Sequence, residues 1–185
     1  YKGAFDDGWD EKRKQWFKKQ KEIGIIPQNA ELTDRNEYVD SWESLSAEEK
    51  RLYARYMEAF AGMLEYTDEQ IGRLLDYLKE IDEFENTIFV FLSDNGASAE
   101  GGKNGRLNCF QGMDIFEREN EVERSLKHYD EIGTEEALNH YPTGWANAGN
   151  TPFQWYKIWA HEGGIKDPLI VSYPKKIKDY GGIRG

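Results

Sequence analysis

Cysteine is almost missing from this chain: Cys109 is the only one in 185 residues. No disulfide can form within it, and a cysteine-rich metal site is excluded. Basic residues are also in short supply. Twenty-four Lys and Arg stand against 35 Asp and Glu, a net charge of -11 and a pI of about 4.8. That balance argues against non-specific nucleic-acid binding, which relies on cations neutralising phosphates. It equally argues against an anionic membrane surface as partner. The acidic field repels an anionic substrate at long range, so a sulfate or phosphate site here needs a local cation or metal. No stretch approaches the roughly 18 consecutive apolar residues of a membrane span, and no signal-peptide pattern follows Tyr1. Internal repeats, low-complexity tracts, a Gly-x-Ser-x-Gly elbow and a P-loop are all absent.

What is present reads as alternating helix and strand. Residues 8–24 predict a helix with Asp10 as N-cap and Trp9, Arg13, Trp16, Phe17 and Ile23 along one side. Pro27, Asn29, Asp34 and Asn36 mark residues 25–42 as loop. Ser46 and Glu49 then have capping-box spacing, hydroxyl to amide and carboxylate back to amide. Behind them Tyr53, Met57, Phe60, Leu64, Ile71, Leu74 and Leu78 keep one apolar face. Gly62 and Gly72 interrupt that face at about 1 kcal/mol each against Ala, which predicts close packing or a kink.

Residues 86–92, Asn-Thr-Ile-Phe-Val-Phe-Leu, are β-branched, aromatic and apolar on both faces, the pattern of a buried parallel strand. The helix–loop–strand order predicts an α/β unit with a right-handed crossover. A second run, residues 168–173, is stopped by Pro174. Roughly 75 residues lie between the two runs, too many for a simple crossover. They hold one predicted helix, residues 117–131, and much Gly- and Asn-rich chain. Residues 97–150 read as an insertion over the strand ends.

Three places carry candidate chemistry. Ser93-Asp94-Asn95-Gly96 follows the first strand directly, where ligands gather in open α/β sheets. Asp94 and Asn95 offer one charged and one neutral oxygen, suited to Ca²⁺ or Mg²⁺ and poor for Cu or structural Zn. Taken alone, Asp-Asn-Gly is most simply a turn. Lys157, in Trp155-Tyr156-Lys157, is a compact cation suited to an anionic oxygen, or a solvated surface lysine. His161 beside Glu162 fits a general acid, and fits a structural hydrogen bond better. His128 and His140 are not distinctive. Cys109 has no neighbouring base and reads as a small buried or half-buried residue rather than a nucleophile. The aromatic positions Tyr141, Trp145, Phe153 and Trp155 are read chiefly as packing around Lys157 rather than as a pocket wall.

Together these pieces resemble the sulfatase family of the alkaline phosphatase superfamily. An apolar strand enters Asp94-Asn95-Gly96. Lys157 then stands five residues before Glu162-Gly163-Gly164, and a strand closing on Pro174 follows. Phe5-Asp6-Asp7-Gly8-Trp9-Asp10, Leu52-Tyr53-Ala54-Arg55, Ser98-Ala99-Glu100-Gly101-Gly102 and Gly149-Asn150-Thr151-Pro152-Phe153 look like the large bacterial-type arylsulfatases. The likeness extends over nearly the whole chain.

The resemblance implies an α/β/α sandwich around a mixed, mostly parallel sheet, and hydrolysis of sulfate esters. The nucleophile would be a formylglycine made from Cys or Ser in Cys-x-Pro-x-Arg. It implies Asp94 and Asn95 as metal ligands, with Ca²⁺ ahead of Mg²⁺, and Lys157 as both the sulfate-binding and the catalytic lysine. A fixed cation aimed at developing charge lowers a barrier more than it tightens ground-state binding. The expected partner is a small-molecule or glycan sulfate ester, not nucleic acid or membrane.

Cys-x-Pro-x-Arg does not occur here, and the early Asp ligands, a Lys-x-His pair and a further His of the family lie before Tyr1 in the pattern. Residues 1–185 therefore read as the central to C-terminal part of one catalytic domain, inactive and poorly folding when isolated. A phosphodiesterase or phosphonate hydrolase of the same superfamily would use similar positions. A non-catalytic module binding sulfated glycans is the third reading.

Overall fold

The computed structural model describes residues 1–109 and 120–183. Its core is a hub of interlocked aromatic rings. Helix α1 (Gly8–Glu22) and helix α4 (Thr143–Gly149) pack together, and Trp9 and Trp145 meet edge to face at 5.8 Å. Trp42 packs edge-on to Trp9 at 4.8 Å, Tyr53 stacks on Trp9 at 5.9 Å, and Phe5 meets Trp145 at 5.5 Å. Edge-on and offset contacts are what ring quadrupoles favour. Three polar tips reach partners: Trp9 Nε1 donates to Asp40 O, Trp145 Nε1 to Tyr53 O, and Tyr53 Oη to Asn104 Oδ1.

Helix α2 (Ala47–Glu80) begins at the predicted capping box, where Ser46 Oγ accepts from Glu49 N and Glu49 Oε2 accepts from Ser46 N at 2.8 Å. Only its first turns are buried. Leu52, Tyr53, Ala54, Tyr56 and Met57 enter the core, whereas Met63, Leu64, Leu74 and Tyr77 are exposed. The expected packing at Gly62 and Gly72 is not found: nothing lies within 4 Å of a Cβ at either, and the helix runs unbroken. The N-cap of α1 is Asp7, not Asp10. The Asp10 carboxylate instead accepts from Trp42 N at 2.8 Å and pairs with Arg35 at 2.9 Å, because a tertiary partner holds it more firmly than a helix end would.

Arg13, only 4% exposed, stitches α1 to two loops by donating to Thr33 O, Thr33 Oγ1, Pro152 O and Phe153 O. The predicted helix at 117–131 forms as α3 (Glu121–Lys127) followed by a 3-10 turn at Tyr129–Glu131. Its residues 117–119 lie outside the described residues, as does the chain just after Cys109. Segment 97–150 contributes Leu107, Ile132, Tyr141, Trp145 and Ala146 to the same core.

Strands β1 (Phe89–Leu92) and β2 (Leu169–Ser172) form a two-stranded antiparallel ribbon, Leu92 opposite Leu169. This corrects the expectation of parallel, buried strands. An apolar pattern reports only that both faces favour cover, not which way a strand runs. Direction is set by the return path. Gly96 N donates to Gly164 O at 3.2 Å, so the chain re-enters beside the end where it left β1 and must run back. Both faces are open, with Ile88, Val90, Leu92, Leu169 and Ile170 exposed. The architecture is thus α/β, a helical aromatic core carrying a bare apolar ribbon, and a parallel sheet is not seen among the described residues.

Trp145→Ala should lower unfolding stability by about 3–5 kcal/mol, from lost burial plus the cavity left behind. Ser46→Ala should cost only about 1 kcal/mol. Urea denaturation followed by tryptophan fluorescence orders the two, and a reversed order would remove the hub from the centre of the fold.

Candidate active-site corner

The Asp94-Asn95 corner and Lys157 lie some sixty positions apart in sequence, yet the backbone clasps them together. Lys157 N donates to Ala97 O at 3.1 Å, and Gly96 N to Gly164 O at 3.2 Å. Between these bonds sits Asn150, the residue capping the C-terminus of α4. Its Oδ1 accepts from Ala97 N at 2.9 Å while its Nδ2 donates to Trp155 O at 2.9 Å. One amide side chain therefore serves the segment leaving β1 and the segment carrying Lys157.

The approach is too close for side chains. A Cβ on Gly96 would stand 1.8 Å from Gly163 O, and one on Gly163 would stand 2.2 Å from Trp155 O. Glu162-Gly163-Gly164 is thus a spacing requirement, completed by the short helix α5 (Glu162–Ile165). The turn bearing Lys157 is strained. Trp155 has φ +67° and Ile158 φ +76°, left-handed conformations that cost a non-glycine residue about 1–3 kcal/mol each. A β-branched Ile there is rare, and the surrounding clasp holds it.

Asp94 and Asn95 are exposed and half-buried, and the Asn95 amide donates to Asp94 Oδ1. Asp167 joins them. Continuing the ladder from Leu92 opposite Leu169 brings position 94 opposite 167. Burial and then the Asp94 charge raise the Asp167 carboxyl above its ordinary value. Two carboxylates and an amide are hard oxygen donors of the kind that suits Ca²⁺ or Mg²⁺. They are not a full ligand set: among the described residues no three His, Cys, Asp or Glu converge to hold a metal ion.

The Lys157 ammonium contacts Glu100, Nζ to Oε1 at 3.0 Å. The bond from Lys157, then one from Ser98, holds the Glu100 carboxyl below the usual carboxylate value. His140 lies on the far side of Ser98, its Nε2 2.9 Å from Ser98 Oγ, and burial lowers its pKa. His161 is exposed and its ring sits 6.3 Å from Trp155. Cys109 is half-buried and burial pushes its thiol up, which suits no nucleophile. Tyr141 and Trp145 are core residues that pack on Phe60 and on Phe5, Trp9 and Trp42, whereas Phe153 and Trp155 are half-buried. The residues missed in sequence are Asn150, Asp167 and Glu100. Glu100 and Asn150 stand inside runs that carry the family resemblance, Asp167 in none, and all three act through contacts no local pattern encodes.

The structure thus joins a carboxylate-and-amide corner to the segment carrying a lysine through one backbone clasp. Comparison with known proteins names the family. The sulfatase family model matches residues 1–183, and the chain belongs to the sulfatase family. It is 35% identical over 179 residues to an uncharacterized sulfatase of Schizosaccharomyces pombe, covering 96% of this chain and 31% of that protein. It is 31% identical over 176 residues to an arylsulfatase of Klebsiella aerogenes, covering 94% of this chain and 35% of the other. Over 44 residues, 24% of this chain and 8% of the relative, it is 48% identical to an N-acetylglucosamine-6-O-sulfatase of Bacteroides thetaiotaomicron. The chain spans about a third of the length of the first two relatives.

Two outcomes test this geometry. Asn150→Ala leaves Ala97 N and Trp155 O without their partner, at a cost of about 1–3 kcal/mol. Hydrogen exchange at the Ala97 and Lys157 amides should quicken while exchange in α2 holds. Glu100 has a lowered pKa, so its pairing is complete above the ordinary Glu value and is lost as pH falls through the lowered one. A carboxyl ¹³C titration should place its midpoint below that of exposed Glu residues, and Lys157→Met should raise it. An unmoved midpoint would break the pair.

Proposed function

We propose that this chain is the later part of a longer sulfuric ester hydrolase, acting on sulfate monoesters through a formylglycine nucleophile carried elsewhere in that protein. The observation that carries the reading is the clasp itself: Lys157 N bonded to Ala97 O, three positions after Asp94. It supports the reading because it ties the segment carrying a cation to the segment that follows a hard-oxygen corner.

Lys157 takes the role of sulfate-binding lysine. Its side chain is one-third exposed, open to an incoming anion and fixed at its root by the clasp. As charge builds on the sulfuryl oxygens, an ammonium already in place stabilises it without rearranging. Asp94 and Asn95, with Asp167 opposite, would hold the divalent cation, and Ca²⁺ suits them better than Mg²⁺ because it tolerates irregular mixed oxygen shells. When bound, that cation supplies charge neutralisation of the ester oxygens. The substrate class is a small aryl or glycan sulfate, by analogy with the arylsulfatase and N-acetylglucosamine-6-O-sulfatase relatives.

In the longer enzyme, Lys157→Ala should lower kcat/KM for an aryl sulfate by about 10²–10³, the size of effect seen when one charge-stabilising group is removed. Asp94→Ala should weaken calcium binding measured by calorimetry. The 185-residue chain alone should show no turnover of a chromogenic aryl sulfate. Unchanged calcium affinity in Asp94→Ala, or turnover by the isolated chain, would sink the assignment.

A further inference from the structure

The carboxylate facing Lys157 is not an ordinary surface partner. Both oxygens of Glu100 touch the ammonium, Oε1 at 3.0 Å and Oε2 at 3.1 Å. Exposed ion pairs normally rearrange freely and are worth little. Here the carboxylate is held from behind. Ser98 Oγ lies 3.0 Å from Glu100 Oε2 and 2.9 Å from His140 Nε2, and shares its one proton between these two acceptors. Glu100 N donates back to Ser98 Oγ at 3.3 Å. His140 Nδ1 carries its own proton, because it lies 2.8 Å from the Tyr141 carbonyl, which can only accept. The His140 backbone is paired on both sides with Arg106, N to O at 2.8 Å and O from N at 2.9 Å. Glu100, though its side chain is 55% exposed, is therefore linked through Ser98 and His140 to the buried Tyr141 segment, which biases it toward Lys157.

An anion oxygen accepted by Lys157 Nζ at normal hydrogen-bond length must lie within about 6 Å of the Glu100 carboxylate, the sum of the two contacts. At that separation the carboxylate repels a dianion twice as strongly as a monoanion. Sulfate monoesters carry one charge. Phosphate monoesters carry nearly two above their second pKa of about 6.

We propose that Glu100 is a specificity-determining residue: it trims the positive charge of Lys157 so that the site takes monoanionic sulfate esters and rejects dianionic phosphate esters. Ser98 and His140 are positioning residues for that carboxylate. The proposal rests on Lys157 being the sulfate-binding lysine.

The test uses the full-length enzyme, an aryl sulfate as substrate and the matching aryl phosphate as competitive inhibitor, at pH 5 and pH 8. At pH 8, Glu100→Gln should tighten aryl phosphate inhibition about tenfold, or about 1.4 kcal/mol. KM for the aryl sulfate, a monoanion, should fall only about threefold, half the free-energy change. At pH 5, where the phosphate is a monoanion, its gain should drop to the same roughly threefold, a pH signature that a merely structural role would not produce. Glu100→Asp should restore discrimination. Ser98→Ala, which keeps the charge and loosens it, should give an intermediate shift, and it reads the same effect if Glu100→Gln folds poorly. Equal changes in phosphate inhibition and sulfate KM, or a tenfold gain that persists at pH 5, would overturn the proposal. Lys157→Met separates the two layers. If it leaves aryl sulfate kinetics intact, the lysine assignment itself fails. If it is damaging while Glu100→Gln shows no selective shift, only the role of Glu100 falls.

Discussion

Everything that makes this chain a candidate site depends on one constraint, the backbone clasp between residues 96–97 and 157–164. Two main-chain bonds and the bridging amide of Asn150 close it. Hydrogen bonds of this kind are each worth only about 1 kcal/mol net. Their effect is larger than that figure because they act where three glycine-permitted approaches leave no slack. The clasp returns the chain to the end of β1, which makes the ribbon antiparallel. It ties the backbone of Lys157 to Ala97, three positions after Asp94. It also holds Trp155 and Ile158 in left-handed backbone that neither residue favours. Strain of that sort persists only when surrounding contacts over-determine it.

The clasp in turn rests on the aromatic hub. Helix α4 carries Trp145 into the hub and ends at Asn150, so the residue that closes the clasp is positioned by a ring with 1% exposure. Arg13 ties α1 to the chain just beyond, at Pro152 and Phe153. Rigidity thus passes from core to site through a few residues. The ribbon and the far half of α2 stand apart from this core, with apolar faces uncovered. Such surface favours association. Relatives about three times as long have ample chain to cover it.

Much of this was legible in the sequence, and the pattern of what was not has a physical cause. The capping box at Ser46 and Glu49, the reach of α2 and the places of both strands are local properties. They follow from residue type and spacing. The motif order Asp94-Asn95-Gly96, Lys157, Glu162-Gly163-Gly164 named the family. Strand direction was not legible, because an apolar run such as Phe89–Leu92 encodes a wish for cover and not an orientation. Asp10 was read as a helix cap because its carboxylate stood in the right place; its use by Trp42 and Arg35 is tertiary. Asn150, Asp167 and Glu100 escaped for the same reason. Each matters through a partner at least fifty positions away, and nothing local marks an Asn as a clasp or a Glu as the partner of a lysine.

The central claim is that the hard-oxygen corner and Lys157 form a single anion-and-cation site. Linkage tests it directly, since two ligands in one site must change each other's affinity by the same factor. The measurement is a calcium binding isotherm of the full-length sulfatase, with and without saturating sulfate, for wild type and for Lys157→Met. The account predicts that sulfate tightens calcium binding in the wild type and that Lys157→Met abolishes most of the coupling. Superimposable isotherms in the wild type would contradict it.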